Sequence, residues 1–111
     1  MELGPHQKQW VEALESGRYK QCRHVIMNNS GGHCCLGVAG AIAEIDMTFN
    51  LDVYEDIKEW LGLCDKSGTV GVVERARLRS FTTMNDGEHL DFRSIAKYAR
   101  KNPESCFISP R

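Results

Sequence analysis

Gly31-Gly32-His33-Cys34-Cys35-Leu36-Gly37-Val38-Ala39 is the stretch on which the reading of this chain turns. Two glycines turn the backbone, and two adjacent cysteines then open a run of small and apolar residues. That order predicts a sharp turn followed by a buried helix from Cys34 to about Ile45, with Leu36, Ala39, Ile42 and Ala43 at helical spacing. Gly37 and Gly40 weaken such a helix by up to about 1 kcal/mol each against alanine. Their expected use is close approach of another backbone, within the chain or in a homodimer. Just upstream, Asn28-Asn29-Ser30-Gly31-Gly32 is a turn by composition. Tyr19 to Met27 reads as extended, with Cys22, His24 and Ile26 on one face.

Toward the N-terminus, Pro5 suits the first turn of a helix over about residues 5–16. Trp10, Ala13 and Leu14 share its apolar face, and Gly17 is its stop. Downstream, Val53, Tyr54, Ile57, Trp60, Leu61 and Cys64 form an i, i+3, i+4, i+7 stripe. Asp52 is the expected N-cap of that helix and Gly62 its end. Both tryptophans are expected core anchors. Thr69 to Val73 reads as a short strand, residues 74–84 fit helix or strand, and Asn85-Asp86-Gly87 reads as a turn. Asp91 caps a last helix, with Leu90 and Ile95 as its hydrophobic staple. Asn102-Pro103 ends it and leaves a tail from about residue 103. The expected architecture is α+β: one domain over residues 1–111, with three or four helices packed on a small β-sheet.

The composition is that of an ordinary globular chain, 41% hydrophobic and 26% charged. No apolar run approaches the roughly 20 residues of a membrane helix, so no membrane partner is expected. Met1 to His6 lacks the basic-then-apolar pattern of a secretory leader. The five cysteines are an odd number, which fits reduced thiols and a cytoplasmic protein. Residues 1–65 carry a net charge of −5 and residues 66–111 a net of +4. Arg75, Arg77 and Arg79 head the basic part and are the expected partner-binding face. The overall net of −1 argues against nucleic acid as the partner.

The opening Trp10-Val11-Glu12-Ala13-Leu14-Glu15-Ser16-Gly17-Arg18-Tyr19-Lys20-Gln21 is followed in order by Cys34-Cys35-Leu36-Gly37-Val38-Ala39 and Trp60-Leu61-Gly62-Leu63. Met84-Asn85-Asp86, Phe92 and Ile95-Ala96 close the series. This ordered set, over about residues 10–99, resembles a family of small uncharacterised proteins encoded in bacteriophage and prophage genomes. Members often carry Gly-Tyr or a similar aromatic pair where this chain has Gly32-His33. The resemblance implies a phage-type accessory protein in a bacterial cytoplasm and implies no reaction.

Three chemistries suit the Gly31–Cys35 junction. Cys34 or Cys35, at a helix N-terminus, has the makings of a nucleophile with a lowered pKa, with His24, His33 or His89 as base and the Gly31–Cys35 N–H groups as an oxyanion hole. Ser30, Gly31, Gly32, His33 and Cys34 offer N–H groups to a phosphorylated small molecule. Cys22, His24, His33, Cys34 and Cys35 are zinc ligand types, but they lack the spacings of zinc motifs, so neither a metal nor another cofactor is expected. Reduced cysteine is among the most buried residue types, and no signature of a cysteine enzyme is present. The reading therefore favours a non-catalytic protein that binds a host protein, in defence or host takeover. The alternatives are a sequestering module for a phosphorylated ligand and a cysteine-dependent enzyme.

Overall fold

Pro5 presets φ for a helical turn and lacks the N–H that a first turn leaves unpaired. The first helix starts on it: α1, Pro5–Glu15. The structure, a computed structural model, describes the backbone of residues 1–74 and 77–111 and the side chains of residues 1–71 and 79–111. β1 (Lys20–Gln21) and β2 (Gly32–His33) pair in parallel, Lys20 opposite Gly32 and Gln21 opposite His33. α2 (Cys35–Ile42) and α3 (Val53–Leu61) follow. β3 (Thr69–Glu74) and β4 (Arg77–Ser80) form an antiparallel pair. α4 (Phe81–Asp86), α5 (Phe92–Lys101) and α6 (Pro103–Cys106) come last. Among the described residues there are thus six helices and two separate two-stranded sheets, in place of the expected three or four helices on one sheet. No helix among them is long and apolar enough to cross a membrane.

Three segments depart from the sequence reading. Tyr19 to Met27 is not one extended strand: β1 ends at Gln21, His24 takes a φ of 71°, and Met27 rejoins only as an isolated bridge to His33. Long-range bonds bend it, since His24 N donates to Asp86 Oδ1 at 2.9 Å and the Ile26 carbonyl accepts from Cys34 N at 3.1 Å. The described residues of the span 74–84 hold both predicted states in succession. The switch from β4 to α4 is a capping box, with Thr83 N donating to Ser80 Oγ at 3.0 Å and Ser80 N to Thr83 Oγ1 at 2.8 Å. Asn85 and Asp86 consequently lie in α4, not in a turn. The tail expected from about residue 103 is folded instead. Cys106 and Phe107 are buried, Ile108 N donates to the Gly62 carbonyl at 2.8 Å, and Gln7 N donates to the Arg111 carbonyl at 3.0 Å.

Trp10 is the centre of the core. It meets Phe81 and Phe107 edge to face at 4.9 and 6.2 Å, contacts worth about 0.5–1.5 kcal/mol each beyond area burial. Its Nε1 donates to the Cys35 carbonyl at 2.8 Å, tying α1 to the first turn of α2. Trp60 is only partly buried and stacks on His6, ring centroids 4.4 Å apart. Gly62 ends α3 in the left-handed region at φ 76°, where glycine carries no Cβ penalty. Asp91 caps α5, accepting from Ser94 N at 2.8 Å, whereas the Asp52 side chain makes no capping bond to α3. Gly37 lies against the Ile26 carbonyl and Gly40 against Met47. Both close approaches are made inside the chain, so neither glycine is left on the surface for a second copy.

Candidate functional site: the start of helix α2 and the surface beside it

Asn85 organises the region where the sequence concentrates its chemistry. It is fully buried on the face of α4 that carries Phe81 and Met84. A carboxamide has two acceptor sites and two donors, and here all four are used. Oδ1 accepts from Cys35 N at 3.1 Å and Gln21 Nε2 at 2.9 Å. Nδ2 donates to the Cys22 carbonyl at 2.9 Å and to Asp86 Oδ1 at 2.8 Å. One side chain therefore joins β1, the bends after it, the start of α2 and the end of α4. Asp86 Oδ1 also receives His24 N, and Arg23 Nε donates to the Asn85 carbonyl at 3.1 Å.

Cys34 is the N-cap of α2, its Sγ accepting from Gly37 N at 3.3 Å. Cys35 opens the helix and its thiol donates to the Phe81 carbonyl at 3.4 Å. The lowered pKa expected at a helix start is reversed by desolvation, which disfavours a thiolate. Burial pushes the Cys34 thiol up to about 11, the Asp86 carboxylate adding to the rise, and holds Cys35 well above the ordinary thiol range. His24, Cys34 and Asp86 line one cleft. These are the residue types of a cysteine-hydrolase triad. Among the described residues, however, no hydrogen bond joins the His24 ring to Cys34 or Asp86, and Cys34 is occupied as a cap. A thiol held that high by burial stays protonated at pH 8, and the thiol is the poor nucleophile of the pair. With iodoacetamide and no denaturant, the exposed Cys64 is expected to be alkylated first, while Cys34 and Cys35 stay unlabelled until unfolding. Peptide mapping that finds either one labelled as fast as Cys64 would restore a nucleophile.

The phosphate cradle expected at Ser30–Cys34 is filled from within the chain. Asn28 Oδ1 accepts from Ser30 N at 3.1 Å and Gly32 N at 2.7 Å, and the Asn28 carbonyl accepts from Gly31 N at 3.3 Å. Cys34 N is bound to Ile26 and Cys35 N to Asn85. These donors are therefore not available to a phosphate or to an oxyanion. The His33 ring packs edge-on to Tyr19 at 5.7 Å, with a buried Nδ1 that has no partner among the described residues. No group of three His, Cys, Asp or Glu side chains among the described residues is placed to hold a metal ion.

The expected arginine face is only partly visible. Arg79 forks onto Glu88, both bonds at 2.8 Å, and its guanidinium sits 4.7 Å from the Tyr98 ring centroid. It is committed inside the chain. Arg75 lies outside the described residues, and Arg77 is described by its backbone alone, on β4.

Two surface features escaped the sequence reading. One is the cleft, about 260 Å³, lined by the apolar Val25 and Leu36, by Tyr54, and by the polar Lys66, Ser67 and Thr82. Its lining comes from segments far apart in the chain, so no spacing announces it. The other is the loop over residues 46–52. Asp46 Oδ1 accepts from Thr48 N at 2.9 Å and Phe49 N at 3.2 Å, and Asn50 Oδ1 accepts from Asp52 N at 2.9 Å. Asn50 Nδ2 donates to Asp56 Oδ2 at 2.7 Å. This tied loop carries Phe49 and Leu51 at 89% and 102% exposure. Asn85 did leave a signal: it falls in the helical phase of Phe81 and Met84, where a polar residue must be bonded if buried.

A family model described as a domain of unknown function (DUF8296) matches residues 5–66, more than half of the chain. The match takes in α1 to α3 and stops before Ser67, Thr82, Asn85 and Asp86. No curated protein and no solved structure matches the chain.

Proposed function

We propose that this chain, which belongs to the DUF8296 family of domains of unknown function, is a non-catalytic protein that docks on another protein through loop 46–52 and Tyr54. The observation that carries this reading is the pair of solvent-exposed side chains, Phe49 and Leu51, on a loop whose backbone is held by Asp46 and Asn50. Singly exposed apolar residues are ordinary. Two on one pre-ordered loop suit binding, because little further entropy is lost when the loop is covered. Large apolar anchors in a desolvated centre supply most of the energy of an interface. Tyr54 follows the loop in the first turn of α3, is 39% exposed and lines the cleft. The docking face thereby moves from Arg75, Arg77 and Arg79 to this loop.

The resemblance to phage-encoded proteins extends the proposal: the partner is a host protein in a bacterial cytoplasm, and the role is in defence or host takeover. Affinity-tagged protein in a bacterial lysate should retain one polypeptide in stoichiometric amount. The double substitution Phe49→Ser, Leu51→Ser should weaken that capture at least about tenfold, or about 1.4 kcal/mol, while Arg79→Ala leaves it intact. Equal capture by the double variant, or no polypeptide beyond the background of the tag, would sink this reading.

A further inference from the structure

The cleft beside α2 holds two opposite charges that do not meet. Asp86 and Lys66 both line it, and neither takes part in any ion pair within 4.0 Å among the described residues. An isolated carboxylate and an isolated ammonium in one recess leave two charges for a ligand to satisfy. Asp86 is also oriented. Its Oδ1 accepts from His24 N and Asn85 Nδ2 at 2.9 and 2.8 Å, which fills the two lone pairs of that oxygen. Oδ2 receives no donor among the described residues. A guanidinium needs both oxygens for its fork, so a single open oxygen selects the point charge of an ammonium. Val25 and Leu36 add apolar side chains to the lining that Asp86 and Lys66 share. Its volume of about 260 Å³ falls below the roughly 300–1,000 Å³ of pockets for drug-sized ligands. The ligand is therefore small.

We propose that this cleft binds a small zwitterion of the amino-acid class, with its ammonium on Asp86 Oδ2, its carboxylate toward Lys66 and its aliphatic part against Val25 and Leu36. The docking loop is not needed for this, and the Phe49→Ser, Leu51→Ser variant should bind the zwitterion unchanged.

The test is an amide chemical-shift titration of the isotope-labelled protein with three probes: 5-aminovalerate, n-pentylammonium and valerate. The zwitterion should give saturable shifts confined to the amides of Val25, Leu36, Tyr54 and Asp86, with a millimolar Kd. The amine and the acid, each satisfying one charge, should bind at least fivefold more weakly. Asp86→Asn preserves the acceptor for His24 N and should weaken the zwitterion at least fivefold. Lys66→Gln alters an exposed side chain outside the core, so it reads the other charge in an intact fold, and it should bring the zwitterion down to the affinity of the amine. The proposal is overturned by shifts that do not saturate or that scatter over the surface, by equal binding of the amine or the acid, or by either variant binding as well as the unaltered protein.

Discussion

Replacing Asn85 by alanine is expected to destabilise the protein by about 3–5 kcal/mol, lowering its Tm by roughly 10–25 °C. The side chain is fully buried and uses every bonding site it has. Truncation leaves Cys35 N and the Cys22 carbonyl without these partners, and each such buried group costs about 1–3 kcal/mol. Gln21 Nε2 suffers less, since it also donates to the Leu90 carbonyl at 2.8 Å. Water entering from the cleft that Asn85 borders offsets part of the loss. Asn85→Asp, of nearly the same shape, should be about as damaging. It removes both donors and sets a buried carboxylate against the partly buried Asp86. Urea unfolding, read as a shift of midpoint at constant slope, checks both. A loss below about 1 kcal/mol for the alanine variant would show that the contacts around Asn85 hold without it.

The second large effect is one whose sign is the test. By helix propensity alone, Gly37→Ala in α2 should stabilise the protein by up to about 1 kcal/mol. In this fold it should destabilise by about 2–4 kcal/mol. A Cβ at position 37 would run into the Ile26 carbonyl oxygen. That oxygen is backbone and cannot rotate away, and it accepts the bond from Cys34 N at 3.1 Å. Relief of the clash must move either α2 or the bends after β1, and both are pinned to Asn85. Overpacking a close contact costs about 1–3 kcal/mol, to which the strained Cys34–Ile26 bond adds. Gly40→Ala is the informative comparison, because its Cβ would meet the flexible end of Met47, at 2.6 Å from Sδ. Thermal denaturation should rank the unaltered protein above Gly40→Ala and Gly40→Ala above Gly37→Ala. A Gly37→Ala protein at least as stable as the unaltered one would mean that the close approach is not there.

The elements that could be read from the sequence are those whose cause is local. Pro5 at the start of α1, the apolar stripe of α3 ended by Gly62, and Asp91 capping α5 each act within one or two turns. The close approach at Gly37 was also legible, as a glycine placed in a helix against its propensity. Its neighbour, the Ile26 carbonyl, was not. Propensity alone left residues 74–84 undivided, because the Ser80–Thr83 capping box that separates β4 from α4 is a bonding event rather than a periodicity.

At the site, the sequence determined which groups are present: two cysteines at the opening of a helix, a glycine turn before them, a carboxylate after an asparagine. The tertiary structure decided what those groups can do. The thiol pKa at Cys34 is governed by desolvation under residues remote in the chain, which outweighs the helix start that a local reading sees. The Ser30–Gly32 amides are used up by Asn28 before any ligand arrives. Asn85 binds Cys22, 63 residues away, and Cys35, 50 residues away. Directional bonds over such separations depend on where whole elements pack, and packing follows from the shape of the buried core rather than from any spacing along the chain. The same holds for the cleft and for Phe49 and Leu51. Their apolar character is written in the sequence, but their exposure depends on the loop being tied so that no other element covers them.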